Sequence, residues 1–205
     1  MSLATLDLSR IAPAFVDPVR ESQAVFREVM ECMARPGRIT RFDRAPKAPA
    51  GVAKAAGAVA LTLFDFETLV WLDPALAESE AEAWLRFHCG CPLTLKSQDA
   101  AFALVTDIAK APALAAFNQG DAKYPDRSTT VILQIAALEG GPTVTLSGPG
   151  IQTTTDIAPQ GLPQDFWSQL ETNQAQFQFG VDVLLVADDR LLALPRTTTA
   201  QIKGG

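Results

Sequence analysis

Apolar positions recur at helical spacing in about four stretches of the chain. They recur as alternating or unbroken short runs in about seven others. Asp17-Pro18 is predicted to open the first helix, since Asp is a favoured N-cap and Pro suits the first helical position, where no N–H is needed. Val19, Phe26, Val29, Met30 and Met33 then share one face, and Pro36-Gly37 stops the helix. Arg38 to Pro49, with two prolines and mixed charge, reads as an irregular connection. Ala50 to Phe64 is a second, alanine-rich helix with Val52, Ala56, Val59, Ala60 and Leu63 inward. Thr68 to Leu72 is a buried strand ended by Asp73-Pro74. Ser79 and Glu82 form a capping box for a third helix, which buries Ala81, Trp84, Leu85 and His88 and stops at Gly90.

The second half is richer in strand signals. Ala101 to Thr106 is a strand, and Ala111 to Phe117 is a short helix before the polar loop Asn118 to Ser128. Thr129 to Leu138, rich in Val, Ile and Thr, is the strongest strand. Gly140-Gly141 turns it into a strand at Thr143 to Leu146. Gln164 to Phe177 is a helix with Phe166, Trp167 and Leu170 inward. Val181 to Val186 is a buried strand that returns through Asp188-Asp189 into Leu191 to Leu194 as a hairpin. Hairpins late and helical crossovers early point to an α/β fold with a mixed sheet and helices on both faces. With no repeat and no linker, residues 1–205 read as a single domain with loose termini at about 1–14 and 199–205.

Composition narrows the possible chemistry. A net charge of −6 gives no general attraction to nucleic acid. A single histidine excludes any centre that needs two from this chain. The longest apolar stretch, Ala55 to Phe64, falls well short of the ~20 residues that span a bilayer. No signal-peptide pattern opens the chain, so a cytoplasmic location with no membrane partner is expected. Three cysteines, two of them one residue apart, are a poor disulfide framework and suit reducing conditions. Cys32, Cys89, Cys91 and His88 lack the paired spacing of a zinc site, and no metal is expected.

Candidate chemistry gathers in three places. His88, at the end of the third helix, either packs on Trp84 and bonds a terminal carbonyl or donates to an anion or a partner. Arg86, two positions earlier, points elsewhere on the helix. Ser147-Gly148-Pro149-Gly150 is a chain-reversing turn whose N–H groups could also cradle an anion or approach a neighbour closely; it lacks the Lys of a Walker loop. Arg196 follows a strand end and Pro195, as a surface residue or as a ligand for phosphate or carboxylate. Asp182, opening an apolar strand, reads as a cap or edge group more readily than as a base. No GxSxG elbow and no marked Schiff-base lysine occur, so catalytic residues remain unknown.

Several segments in order resemble one known family. They are Phe26-Arg27-Glu28-Val29-Met30 with Arg35-Pro36-Gly37, Val59 to Leu63, Leu85-Arg86-Phe87-His88, Leu146 to Ile151, Gly180 to Leu185, and Leu191 to Thr198. Together they resemble the PhnH family, a subunit of the bacterial carbon–phosphorus lyase system, from about Phe15 to Thr199. The resemblance implies a three-layer α/β/α sandwich around a mixed sheet, similar to pyridoxal-phosphate-dependent transferases but without the cofactor site. It implies action with PhnG and PhnI in forming ribose 1-phosphonate 5-triphosphate from ATP and an alkylphosphonate. PhnJ cleaves the carbon–phosphorus bond later. No cofactor is expected in this subunit, ATP being a substrate of the complex, and a homodimer is expected. Cys89-Gly90-Cys91 departs from the family pattern. Arg86, His88, Arg196, Ser147, Gly148 and Gly150 are the expected ligand or partner contacts. The alternative is a stand-alone enzyme that binds a phosphate ester or nucleotide.

Overall fold

In the computed structural model, which describes residues 11–203, four α-helices and ten strands alternate along the chain. They run α1 (Pro18–Ala34), β1 (Ile39–Arg41), α2 (Lys54–Leu63), β2 (Val70–Leu72), α3 (Glu80–Cys89), β3 (Leu93–Thr94) and β4 (Phe102–Val105). After several short 3₁₀ turns come β5 (Thr130–Gln134), β6 (Val144–Ser147), β7 (Thr155–Ile157), α4 (Phe166–Ala175), β8 (Asp182–Ala187), β9 (Arg190–Leu194) and β10 (Thr199–Ile202). Seven strands form one sheet in the order β1-β9-β8-β5-β4-β2-β3. β3, β2, β4, β5 and β8 pair in parallel, whereas β9 joins β8, and β1 joins β9, antiparallel. The other three strands form a separate antiparallel sheet, β10-β6-β7. The fold is α/β with a mixed sheet, as expected, plus a second sheet that was not.

Side chains alternate across a strand, and both faces of the large sheet are apolar. Leu104, Ile132, Leu184, Val186 and Leu191 enter one core, shared with Val25, Val29 and Cys32 of α1, the alanines of α2, and Trp84 and Leu85 of α3. Ala103, Val105, Val131, Leu133, Val183, Leu185 and Leu192 enter the other. Phe166 and Leu170 of α4, and Val144, Leu146 and Ile157 of the small sheet, close that second core.

The local signals for α3 hold. The Ser79 hydroxyl accepts from the N–H groups of Ala81 and Glu82, and Gly90 takes the left-handed cap at φ 65°. Glu82 completes the cap one residue further back than expected, accepting from the Glu78 N–H at 2.9 Å. The hairpin at Asp188-Asp189 also forms, with Val186 opposite Leu191.

Several expectations change: Ala111 to Phe117 forms only a 3₁₀ turn at Leu114–Ala116, the strand expected to reach Leu138 ends at Gln134, and five further differences bear on the surroundings of the site. First, α1 buries Glu21, Val25, Val29 and Cys32, while Val19, Phe26 and Met30 of the expected stripe are exposed. The helix has two apolar faces, and the face with shorter side chains fits closely against the small residues of α2. Second, the segment Arg38 to Pro49 contains β1, a sheet edge. Third, α2 begins only at Lys54, after a turn through Gly51; the side-chain amide of Gln134, at the end of β5, caps it by accepting from Ala53 N–H at 2.7 Å. Fourth, β6 does not return beside β5 but leaves for the small sheet. Fifth, the end of the chain is not loose from Thr199: β10 pairs with β6 through Ile202, and Ala12 near the other end is held by α3. The expectations for residues 1–10 and 204–205 lie outside the described residues.

Asp73, read above only as a strand stop, is 1% exposed and joins the ends of β2 and β4. Its carboxylate accepts from the N–H groups of Ala75 (2.8 Å), Thr106 and Asp107 (2.9 Å) and from the Thr106 hydroxyl (2.9 Å). Asp73→Ala would strand these buried donors and should lower stability by about 3 kcal/mol. Urea unfolding checks this, and a loss under ~0.5 kcal/mol would contradict it.

Candidate functional site

α3 places His88 through one side of its last two turns. The ring lies 5.2 Å from the Trp84 ring, tilted by 65°, and Nε2 is 3.0 Å from the Ala12 carbonyl oxygen. The Trp84 indole N–H donates to the same carbonyl at 2.9 Å. The carbonyl thus belongs to the segment before α1, not to the end of α3 itself. Arg86, on another side of the helix, pairs with Glu82 one turn earlier at 2.8 Å. The two residues are not brought together.

Arg196 lies elsewhere, where β9 ends opposite the start of β8. Its side chain is 15% exposed, and that of Asp182 is 14% exposed. The guanidinium meets both Asp182 oxygens, at 2.6 and 3.2 Å, and donates to the Pro125 carbonyl at 2.7 Å. The Arg196 N–H also donates to Asp182 at 2.8 Å. Asp182 is therefore the partner of Arg196, and the pair ties the 118–128 loop to the sheet.

The Ser147-Gly148-Pro149-Gly150 turn follows β6, and its close approach is to this chain's own backbone. Gly148 has φ 132°, and a Cβ there would sit 2.8 Å from the Thr197 carbonyl oxygen. Gly150 has φ 84°, and its Cβ would sit 2.1 Å from the Ala34 carbonyl oxygen at the end of α1. The contact is reciprocated one turn away. Gly37 has φ 87°, and a Cβ there would meet Thr155 Cγ2 at 2.6 Å. Side chains are excluded at both points, so the end of α1 and the 147–155 loop lie against each other.

That seam borders a shallow groove of about 340 Å³. Arg35 and Arg38 line one wall; Gly150 to Thr155, with three consecutive threonines, line the other. Both guanidinium groups meet the same oxygen of Glu31, at 2.9 and 3.2 Å. Of the residues expected in a site, only Gly150 borders this groove. A second cleft, of about 230 Å³, lies beside the first half of α1 between Arg20, Glu28, Phe42 and Arg44.

The chain matches the family model described as "Bacterial phosphonate metabolism protein (PhnH)" over residues 13–201. It belongs to the PhnH family. It is 46% identical over 185 residues to the "Alpha-D-ribose 1-methylphosphonate 5-triphosphate synthase subunit PhnH" of Rhizobium meliloti (strain 1021), spanning 90% of this chain and 92% of that one. It is 34% identical over 85 residues to the "Putative C-P lyase subunit protein HtxG" of Stutzerimonas stutzeri, spanning 42% of this chain and 44% of that one. All the segments quoted above for the PhnH resemblance fall inside the matched range.

The cysteines of this PhnH-family chain are all free. Cys32 is fully buried, and burial pushes its thiol up from 9.0 to about 11. The Cys89 S–H donates to the Ala60 carbonyl at 3.6 Å, and interaction between the two thiols across Gly90 pushes Cys89 up and draws Cys91 below its ordinary value. No helix among the described residues is long and apolar enough to cross a membrane.

Two predictions follow from these environments. Arg196→Met leaves a largely buried carboxylate without its partner and should cost about 2–3 kcal/mol, read by urea unfolding; Asp182→Asn in the same background should recover part of it. An unchanged midpoint would show that the pair contributes nothing. The folded Cys32 thiol binds its proton more tightly than the unfolded one, so its contribution is complete below pH 9.0 and is lost as pH rises to about 11. Urea midpoints measured from pH 8 to 11 should fall less steeply in Cys32→Ala than in the wild type. Parallel curves would contradict the assignment.

Proposed function

We propose that this chain is the PhnH subunit of the assembly that forms α-D-ribose 1-methylphosphonate 5-triphosphate. Its partners in that step are PhnG and PhnI, its substrates ATP and an alkylphosphonate, and PhnJ acts later in phosphonate breakdown. The observation that carries the reading is the 46% identity to a relative of that name across nearly the full length of both chains. The role is one of support or assembly in the cytoplasm, with no cofactor held in this subunit and with the chain present as a homodimer. Arg86 and His88, on the α3 surface, are contacts to partner subunits in this reading, and the Arg196–Asp182 pair holds the 118–128 loop to the sheet. The fold is, in the same reading, a three-layer relative of the pyridoxal-phosphate-dependent transferases that lacks their cofactor site.

Two features support a role among partners. α1 presents Val19 (79% exposed), Phe26 and Met30 on its outer face, an apolar stripe at helical spacing on a helix whose other face is already buried. The Arg86 guanidinium, 53% exposed beside its Glu82 partner, stays open to a group on another subunit.

Co-expression with PhnG and PhnI from the same genome should give one co-eluting assembly. That assembly should release adenine from ATP in the presence of methylphosphonate, and omission of this chain should abolish the release. Separate elution at all salt concentrations, with adenine release unchanged by the omission, would overturn the proposal. Turnover of a phosphate ester or nucleotide by the isolated chain would favour the stand-alone alternative.

A further inference from the structure

We propose that the groove between the end of α1 and the 150–155 loop binds the polyphosphate of a small molecule, with Arg35 and Arg38 as its cationic ligands. The charge arrangement comes first. Two guanidinium groups share one oxygen of one carboxylate, Glu31, so the cluster keeps a formal surplus of one positive charge. Both arginine side chains remain well exposed, at 62% and 44%. Each guanidinium has five N–H donors in a planar fork, more than the single shared oxygen takes up. This surplus stands on a chain whose net charge is −6.

The opposite wall supplies neutral donors. Gln152, Thr153 and Thr154 are exposed on the loop, and their amide and hydroxyl groups suit the tetrahedral oxygens of a phosphate. The nearest acid on that strand, Asp156, is already committed: Lys203 meets it at 2.5 Å and the Thr145 hydroxyl at 2.8 Å. Lys203 and then Thr145 hold its carboxyl below the usual carboxylate range.

Shape completes the argument. The two walls come this close because Gly37 and Gly150 allow backbone and side chain to touch where no Cβ fits. A volume of about 340 Å³ is at the small end of sites for small molecules, roughly 300–1,000 Å³. Arginine forks with hydroxyl donors recognise phosphate oxygens. Identifying the bound group as the triphosphate of the assembly's nucleotide rests on the function proposed above; capture of a polyphosphate does not.

The test is calorimetric titration of the full chain with inorganic triphosphate at low salt, beside the double variant R35Q/R38Q. Both arginines are exposed, so the melting temperature should be unchanged in the variant. Loss of the charge-assisted contacts should weaken binding by about tenfold or more. No heat from the wild type at millimolar triphosphate, or equal affinity in the two proteins, would overturn the proposal. A variant that binds triphosphate normally but fails to assemble with PhnG and PhnI would also overturn it, making the groove a protein contact. If neither protein assembles yet the affinities differ as expected, the groove stands and the functional reading falls.

Discussion

The structure depends on the burial of β5 and β8 on both faces. Val131, Ile132 and Leu133 are consecutive and all buried, as are Val183 to Ala187. Successive residues point to opposite sides, so one covered face would leave half of each run in water. Two separate cores follow from this, one under α1, α2 and α3 and the other under α4 and the small sheet. The position of the small sheet follows in turn, because Val144, Leu146 and Ile157 face the large sheet and cover ground that α4 does not. The groove lies where the covering layers of the two cores meet, with α1 contributing from one and the 147–155 loop from the other.

Much of this was legible in the sequence where a local rule acted alone. Ser79 and Gly90 bracket α3 by side-chain and backbone chemistry that needs no tertiary partner. The β8–β9 hairpin is equally local. The errors arise where two local readings were equally good. α1 has an apolar face at Val25, Val29 and Cys32 and another at Val19, Phe26 and Met30; periodicity cannot say which one meets the alanines of α2. The departure of β6 has a signal in its own residues. Val144-Thr145-Leu146-Ser147 alternates buried and half-buried residues, the mark of a strand with one wet face, whereas the middle of β5, Val131-Ile132-Leu133, is an unbroken apolar run. Strands so unlike are poor neighbours in one sheet.

The candidate site was less legible than the fold. The sequence drew attention to arginines and glycines one at a time, and the structure sorts them by partner. Arg196 has both oxygens of Asp182, which spacing of 14 residues did not reveal. Arg35 and Arg38 share a single acid, a relation that depends on the tight turn through Pro36 and Gly37. The threonines of the 153–155 run carry no motif and acquire meaning only from the wall they face. Membership of the PhnH family was carried by the order of many short segments, and it depends on no single residue.

Gly37 and Gly150 have a consequence for comparing relatives. Each stands in a left-handed conformation, and each is pressed against atoms of the other's segment. A relative that keeps both has every reason to keep the seam. One that carries a side chain at position 150 must have moved the loop or the end of α1, and one that carries a side chain at position 37 must have turned Thr155 aside. These two positions are thus a compact marker, readable from an alignment alone, for which members of the family share this surface and which have rebuilt it.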